Sequence, residues 1–281
     1  MINRMSFKER LVRASRARES LLCVGLDPDL ERLPPYLRRE LGDQAVLEFN
    51  CRIIEATQDL VCAYKLNLAF YEQLGPTGLE MLKETLASIP DGVLKIADAK
   101  RGDIGNTAKA YAKAIFGYYG FDAATVNPYL GLEALEPFLE YKDRGTFVLC
   151  RTSNPGAREF QDLRCEGKPL YLWVAEAVAR ANERFGNLGL VVGATWPEEL
   201  KEVRELVGDE LPILIPGVGA QAGDLEKAVR YGVNSQGELA IINVSRAVIF
   251  ASSAEDFAQA ARAAAQRLRE EIELSRRPRR G

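Results

Sequence analysis

The sequence predicts an α/β protein folded as a single-domain (β/α)8 barrel of the TIM type, and two observations carry that expectation. Eight short apolar, β-branched runs alternate along the 281 residues with longer stretches whose apolar residues recur at i, i+3 and i+4. Polar residues gather at the C-terminal ends of most of those runs, the end at which such barrels build their sites. Strands separated by helices pair in parallel, because each return needs a crossover, and eight strands can close the barrel. The rival is an open doubly wound sheet, which usually has fewer strands and a glycine fingerprint after the first. Here the first run continues as GLDPDLERLP, which is no such fingerprint.

In chain order the expected strands are LLCVGLD (21–27), AYKLNLAF (63–70), VLKIADAK (93–100) and AATVNP (123–128), followed by TFVLCRT (146–152), LGLVVGAT (188–195), PILIPGVG (212–219) and LAIINVSR (239–246). Helical spacing marks 44–61, 77–89, 106–119, 169–185, 198–207, 223–232 and 252–274. Thr195 and Pro197 flank a helix start, and Ser252 or Ser253 followed by Glu255 reads as a capping box. The barrel domain is expected to span 1–275 with a helical extension before the first strand, leaving 276–281 as a basic, frayed tail. No solenoid repeat and no linker interrupts it.

Composition narrows the function. At 47% hydrophobic the chain can fill a large core, and a net charge of −3 argues against a general nucleic-acid or membrane binder. The N-terminal stretch is charged throughout, and no apolar run reaches about 18 residues, so a cytosolic protein is expected. Five scattered cysteines (Cys23, Cys51, Cys62, Cys150 and Cys165) form no CxxC pair and fit reduced thiols. There is no histidine, so acid–base work falls to Lys, Asp, Glu, Tyr or Cys, and histidine triads and His-based zinc sites are excluded.

The strand ends hold the candidates. Asp27 ends the first strand, Lys65 and Asn67 alternate in the second, and Asp98 and Lys100 end the third. Asn127 ends the fourth, Thr152 and Ser153 follow the fifth, Gly217, Gly219 and Gln221 follow the seventh, and Ser245 and Arg246 end the eighth. Strand alternation puts Ile96, Asp98 and Lys100 on one face and Ala97 and Ala99 on the other. The alanines suit packing against helices, and the charges then point into the barrel mouth. With Lys65 from the neighbouring strand they give an alternating cluster, Lys65–Asp98–Lys100, with Asp103 just beyond. Buried ion pairs are poor stabilisers, so such a cluster points to function. GVGAQAGD (217–224) fails as a dinucleotide fingerprint. It suits the phosphate loop that recurs after strands 7 and 8 of these barrels, with Gln221 and loop amides donating and Arg246 gripping the phosphate.

These residues resemble the orotidine 5'-phosphate decarboxylase family. DAKRGDIGNT (98–107) matches the signature DxKxxDIxxT, supported by GLDPD (25–29), YKLN (64–67), TSNP (152–155), PGVGAQAGD (216–224) and NVSRA (243–247) in the family's order. The segment from Ser153 to Leu170 resembles the bacterial subgroup of longer chains. The resemblance implies a homodimer of barrels and neither metal nor organic cofactor. It also implies orotidine 5'-monophosphate as substrate, with decarboxylation completed by a proton from Lys100. Lys65, Asp98, Lys100 and Asp103 would form the charge array, with Asp103 and Thr107 reaching the partner's site. Asp27 and Lys65 would bind the ribose hydroxyls, with Asn67 also in the substrate-binding set. Ser153 would contact the pyrimidine, and Gln221 and Arg246 the phosphate. Three rivals stay open on the shared DxK: a Mg²⁺-dependent sugar-phosphate enzyme, a Schiff-base aldolase and a non-catalytic nucleotide-binding barrel.

Overall fold

Each expected run is short and apolar, most carry β-branched residues, and each contains a strand. The strands are Leu22–Gly25 (β1), Ala63–Asn67 (β2), Leu94–Arg101 (β3), Ala123–Val126 (β4), Gly145–Arg151 (β5), Leu188–Val192 (β6), Ile213–Pro216 (β7) and Ala240–Val244 (β8). They were described in a computed structural model covering residues 5–218 and 225–276. Neighbours in sequence pair in parallel, and β8 closes on β1, with Leu22 opposite Ile242 and Val24 opposite Val244.

Side-chain alternation sorts the barrel into two cores. Cys23, Ala63, Leu94, Ile96, Ala123, Phe147, Val191, Leu214 and Ile241 point inward and pack on one another. Leu22, Val24, Tyr64, Leu66, Ala97, Ala124, Val148, Leu190, Ile213 and Ile242 point outward into a larger cluster with the helices. The main helices are Phe7–Arg18 (α1), Ala45–Thr57 (α2), Gly75–Ser88 (α3), Gly105–Ala112 (α4), Leu170–Phe185 (α5), Pro197–Val207 (α6), Leu225–Gly232 (α7) and Phe257–Arg276 (α8). Between β4 and β5 the cover is three short helical turns, Pro128–Leu130, Glu133–Leu135 and Glu136–Leu139.

The helical extension is α1, started by a capping box between Ser6 and Glu9. It crosses the end of the barrel where the strands begin. Phe7, Leu11 and Ala14 join the inner core, and Phe7 meets Phe147 edge-on with centroids 5.7 Å apart. Among the described residues no helix is long and apolar enough to cross a membrane.

Four expectations need correction. Ser252 forms no capping box with Glu255: its hydroxyl donates to Asp256 (2.6 Å) and accepts the Ala254 N–H (3.1 Å), a local turn that delays α8 to Phe257. α8 then runs through Arg276, so the first residue of the supposed tail is helical, and 277–281 lie outside the described residues. The helix expected over 106–119 changes character at Ala112, continuing as a wider π-helical turn over Lys113–Tyr118. The stretch before Leu170 contains an unforeseen hairpin, Arg164–Cys165 with Lys168–Pro169, turned by Glu166 and Gly167 at positive φ.

Candidate active site

The inward face changes from apolar to polar along the strand direction. Lys65 and Asn67 continue the face of Ala63, Asp98 that of Leu94 and Ile96, Thr125 that of Ala123, and Asn243 that of Ile241. At the C-terminal strand ends these residues open into a cavity of about 380 Å³, lined among others by Asp27, Lys65, Asp98, Gly217, Asn243 and Arg246. Larger hollows of about 750 and 670 Å³ flank α1 at the opposite end. There Arg10 and Arg144 already pair with the buried Asp122, so the chemistry converges at the mouth instead.

Asp98 is the hub. Its Oδ2 accepts from Lys65 Nζ at 2.8 Å and its Oδ1 from Lys100 Nζ at 2.6 Å. Asp27 lies 3.9 Å from Lys65 on the other side and accepts the Asn67 N–H at 3.2 Å. Burial alone would discharge Lys65, but Asp27 and Asp98 outweigh it and hold the ammonium above its ordinary range. Burial likewise works against ionised Asp98, yet Lys65 and Lys100 outweigh it and hold its carboxyl well below the usual carboxylate range. The lysines differ in access: the Lys65 side chain is 4% exposed, that of Lys100 50%. Lys65 is therefore a fixed counter-ion, whereas Lys100 has room to move toward a ligand.

Lys100 does not simply follow Asp98 on one face, as period two would have it. Ala97 lies opposite Ala124 and Arg101 opposite Val126, so β3 carries two residues more than β4 over this span. The surplus is absorbed by a bulge in which Lys100 takes φ +47°. That left-handed conformation costs a residue with a Cβ about 1–2 kcal/mol, and strain of this kind clusters at functional sites. Lys100 still reaches Asp98, by a bend rather than by alternation.

Asp103 and Thr107 are not brought to this cavity. Asp103 accepts the Ile104 N–H at 2.8 Å and makes no ion pair with Lys100, and Thr107 is exposed in the first turn of α4. Arg246 opens the short helix Arg246–Ile249 at the rim of the cavity. Gln221 and Gly219 lie outside the described residues.

Ser153 is held by close approach. A Cβ on Gly193 would fall 2.7 Å from the Ser153 Cβ, so only glycine lets the two backbones meet. Beneath this loop lies a network that sequence reasoning missed. The buried Arg151 and the loop residue Arg158 both lie over the Trp196 ring, 4.3 and 4.5 Å from its centroid. The Trp196 indole donates to the Thr152 carbonyl (3.0 Å), and Gln161 accepts the Thr152 N–H (2.9 Å). The available signal was an arginine closing an apolar strand immediately before TSNP. Asn243 and Arg32 were missed too. Arg32 stands at the mouth with its guanidinium 4.2 Å over Phe250. Among the described residues no cluster of three or more His, Cys, Asp or Glu side chains is placed to hold a metal ion.

A closed (β/α)8 barrel with a paired charge array at its C-terminal mouth defines the class: a barrel enzyme with its site at the strand ends. Residues 20–264 match the model of the Orotidine 5'-phosphate decarboxylase / HUMPS family. A Thermomicrobium roseum protein named orotidine 5'-phosphate decarboxylase is 54% identical over 274 residues, covering 97% of this chain and 96% of that protein. One of the same name from Cellvibrio japonicus is 49% identical over 273 residues, covering 97% and 100%. The solved structure of Leishmania donovani OMP decarboxylase superposes with a TM-score of 0.84 at 39% identity, covering 97% of this chain and 99% of that one. The chain belongs to the orotidine 5'-phosphate decarboxylase family.

Proposed function

We propose that this protein decarboxylates orotidine 5'-monophosphate to uridine 5'-monophosphate and CO₂ in pyrimidine nucleotide synthesis, as a cytosolic homodimer that uses neither metal nor organic cofactor. The observation that carries the reading is the Lys65–Asp98–Lys100 array, paired at 2.8 and 2.6 Å at the barrel mouth.

In this reading the 5'-phosphate is held by Arg246 and Gln221, the ribose hydroxyls by Asp27 and Lys65 with Asn67 alongside, and the pyrimidine by Ser153. Asp103 and Thr107, which do not line their own cavity, complete the site of the other subunit. The substrate carboxylate lies against Asp98. Repulsion between the two anions is relieved as the bond from C6 to the carboxyl carbon breaks and CO₂ departs. The electron pair stays on C6 in an in-plane orbital, with no adjacent carbonyl to accept it. The Lys100 ammonium stabilises that charge electrostatically and delivers a proton to C6, then regains one from solvent. Lys65 keeps Asp98 ionised while Lys100 turns from Asp98 toward C6. Binding at the remote phosphate supplies energy used at the reacting centre.

The test is the ultraviolet absorbance of orotidine 5'-monophosphate mixed with purified protein and excess chelator. Conversion to the uridine product supports the reaction and its independence of metal. A flat trace from folded protein refutes the proposal, and activity that the chelator abolishes refutes its cofactor-free form.

A further inference from the structure

We infer that Thr125 is a positioning residue, whose one hydroxyl holds both the Asp98 carboxylate and the Lys100 backbone in working geometry. The inference rests on the decarboxylase reading above and names a residue that the strand-end motifs did not reveal.

Thr125 lies in β4, on the inward face that begins with Ala123, and is 1% exposed. Its Oγ1 donates to Asp98 Oδ1 at 3.0 Å and accepts the Lys100 N–H at 3.0 Å. A hydroxyl offers one donor and two acceptor positions, so a single atom serves both partners. The bulge explains why this is needed. With two surplus residues between Ala97 and Arg101, the Lys100 N–H is turned out of the regular β3–β4 ladder, and a half-buried backbone donor that has lost its ladder partner needs another acceptor. The Thr125 hydroxyl supplies it at the residue whose φ is +47°. It therefore fixes the backbone from which the Lys100 side chain departs.

The donor half of the hydroxyl acts on the other partner. Asp98 Oδ1 takes both the Lys100 ammonium and the Thr125 hydroxyl, while Oδ2 takes Lys65. The carboxylate is thus tied at both oxygens and cannot rotate as Lys100 leaves it. Other buried threonines serve different ends: Thr57 bonds the Ile53 carbonyl and the Tyr64 hydroxyl of β2, Thr85 accepts from Asn50 in the neighbouring helix, and Thr146 Oγ1 has no hydrogen-bond partner. Thr125 alone among these four joins two residues of the charge array to each other.

The experiment compares Thr125→Val, which removes the hydroxyl, with Thr125→Ser, which keeps it. kcat and KM for orotidine 5'-monophosphate are measured together with urea unfolding and a crystal structure of the valine variant. The expected result is a kcat reduced by about 10- to 100-fold in Thr125→Val, with KM within about twofold, because misplaced catalytic groups cost rate more than binding. Thr125→Ser should recover kcat to within about threefold. In the crystal, Lys100 should leave the left-handed region and Asp98 should rotate. If valine does not fold, Thr125→Ala takes its place. A valine variant with more than half the wild-type kcat overturns the inference. So does a serine variant as impaired as valine, which indicates packing. The crystal structure judges the inference without reference to turnover: Lys100 still near φ +47° and bonded to an unrotated Asp98 overturns it. Wild type run in parallel separates the two readings, since a wild type without turnover refutes the decarboxylase proposal itself.

Discussion

Replacing Lys65 by methionine keeps the length of a buried side chain and removes the charge between two carboxylates. The ammonium lies 2.8 Å from Asp98 and 3.9 Å from Asp27. At an effective dielectric of about 20 those separations correspond to roughly 6 and 4 kcal/mol of attraction, against which desolvation takes back several kcal/mol per ion. Without Lys65 the carboxylates stay buried, and Asp98 retains the neutral Thr125 hydroxyl and, as counter-charge, only Lys100, whose half-exposed pairing is screened by water. Loss of one partner from a buried pair costs about 3–5 kcal/mol, and that is the destabilisation expected at pH 7. The assay is urea unfolding at fixed protein concentration with linear extrapolation. Adding Asp98→Asn should restore part of the loss, because the two sites couple. The pH dependence follows in sign. The Asp98 pKa is lowered by folding, so its contribution is present above its unfolded value of about 3.9 and fades as pH falls through the folded one. The Lys65 pKa is raised, so its contribution is full below about 10.4 and fades as pH rises beyond. The gap between wild type and variant should therefore be widest near neutral pH and narrow toward both the acid and the alkaline side. A variant within about 1 kcal/mol of wild type at pH 7 would refute this reasoning.

Lys100→Ala should fold normally and lose nearly all turnover; a variant keeping even about a tenth of wild-type activity contradicts its role as proton donor. Arg246→Ala should weaken uridine 5'-monophosphate by about tenfold or more in a calorimetric titration, and unchanged affinity removes Arg246 from the phosphate site. Arg204 is buried beside four backbone carbonyls, those of Gly208, Leu211, Gly232 and Leu239, and burial pulls its guanidinium down to about 10. Arg204→Met strands those acceptors, so a loss of about 3 kcal/mol and a fall of several degrees in Tm are expected. Turnover at 25 °C should be unchanged, and a Tm within about 1 °C of wild type would show that water replaces the guanidinium.

The barrel was legible because its strands announce themselves twice, by β-branched apolar runs and by the polar residues that end them. Lys65, Asp98, Asp27 and Arg246 could be placed from alternation and strand order alone, and the structure brings them to one cavity. Lys100 was assigned to the right neighbour by the wrong geometry. A period of two cannot foresee a bulge, which depends on how many residues β4 sets against β3. Thr125 was hidden for a related reason: in AATVNP it reads as one more β-branched strand residue, and only the register across β3 and β4 gives its hydroxyl two partners. Trp196, Arg151 and Gln161 lie 10 to 45 residues apart in sequence, and no local pattern links an indole after one strand with a loop after another. The helix boundaries failed where turn chemistry intervened, as at Ser252.

Phe7, Leu11 and Ala14 finish the packed core at the start of the strands, so the cavity lies wholly at the other end of the barrel. Nucleotide traffic in both directions must use the rim beside Arg246 and Gly217, so departure of one occupant has to precede arrival of the next. The packed end also sets how the molecule can be handled. A tether or fusion joined ahead of α1 hangs from the packed base and leaves the mouth facing the solution, whereas attachment through an engineered residue on the rim, such as Arg32, would blind it.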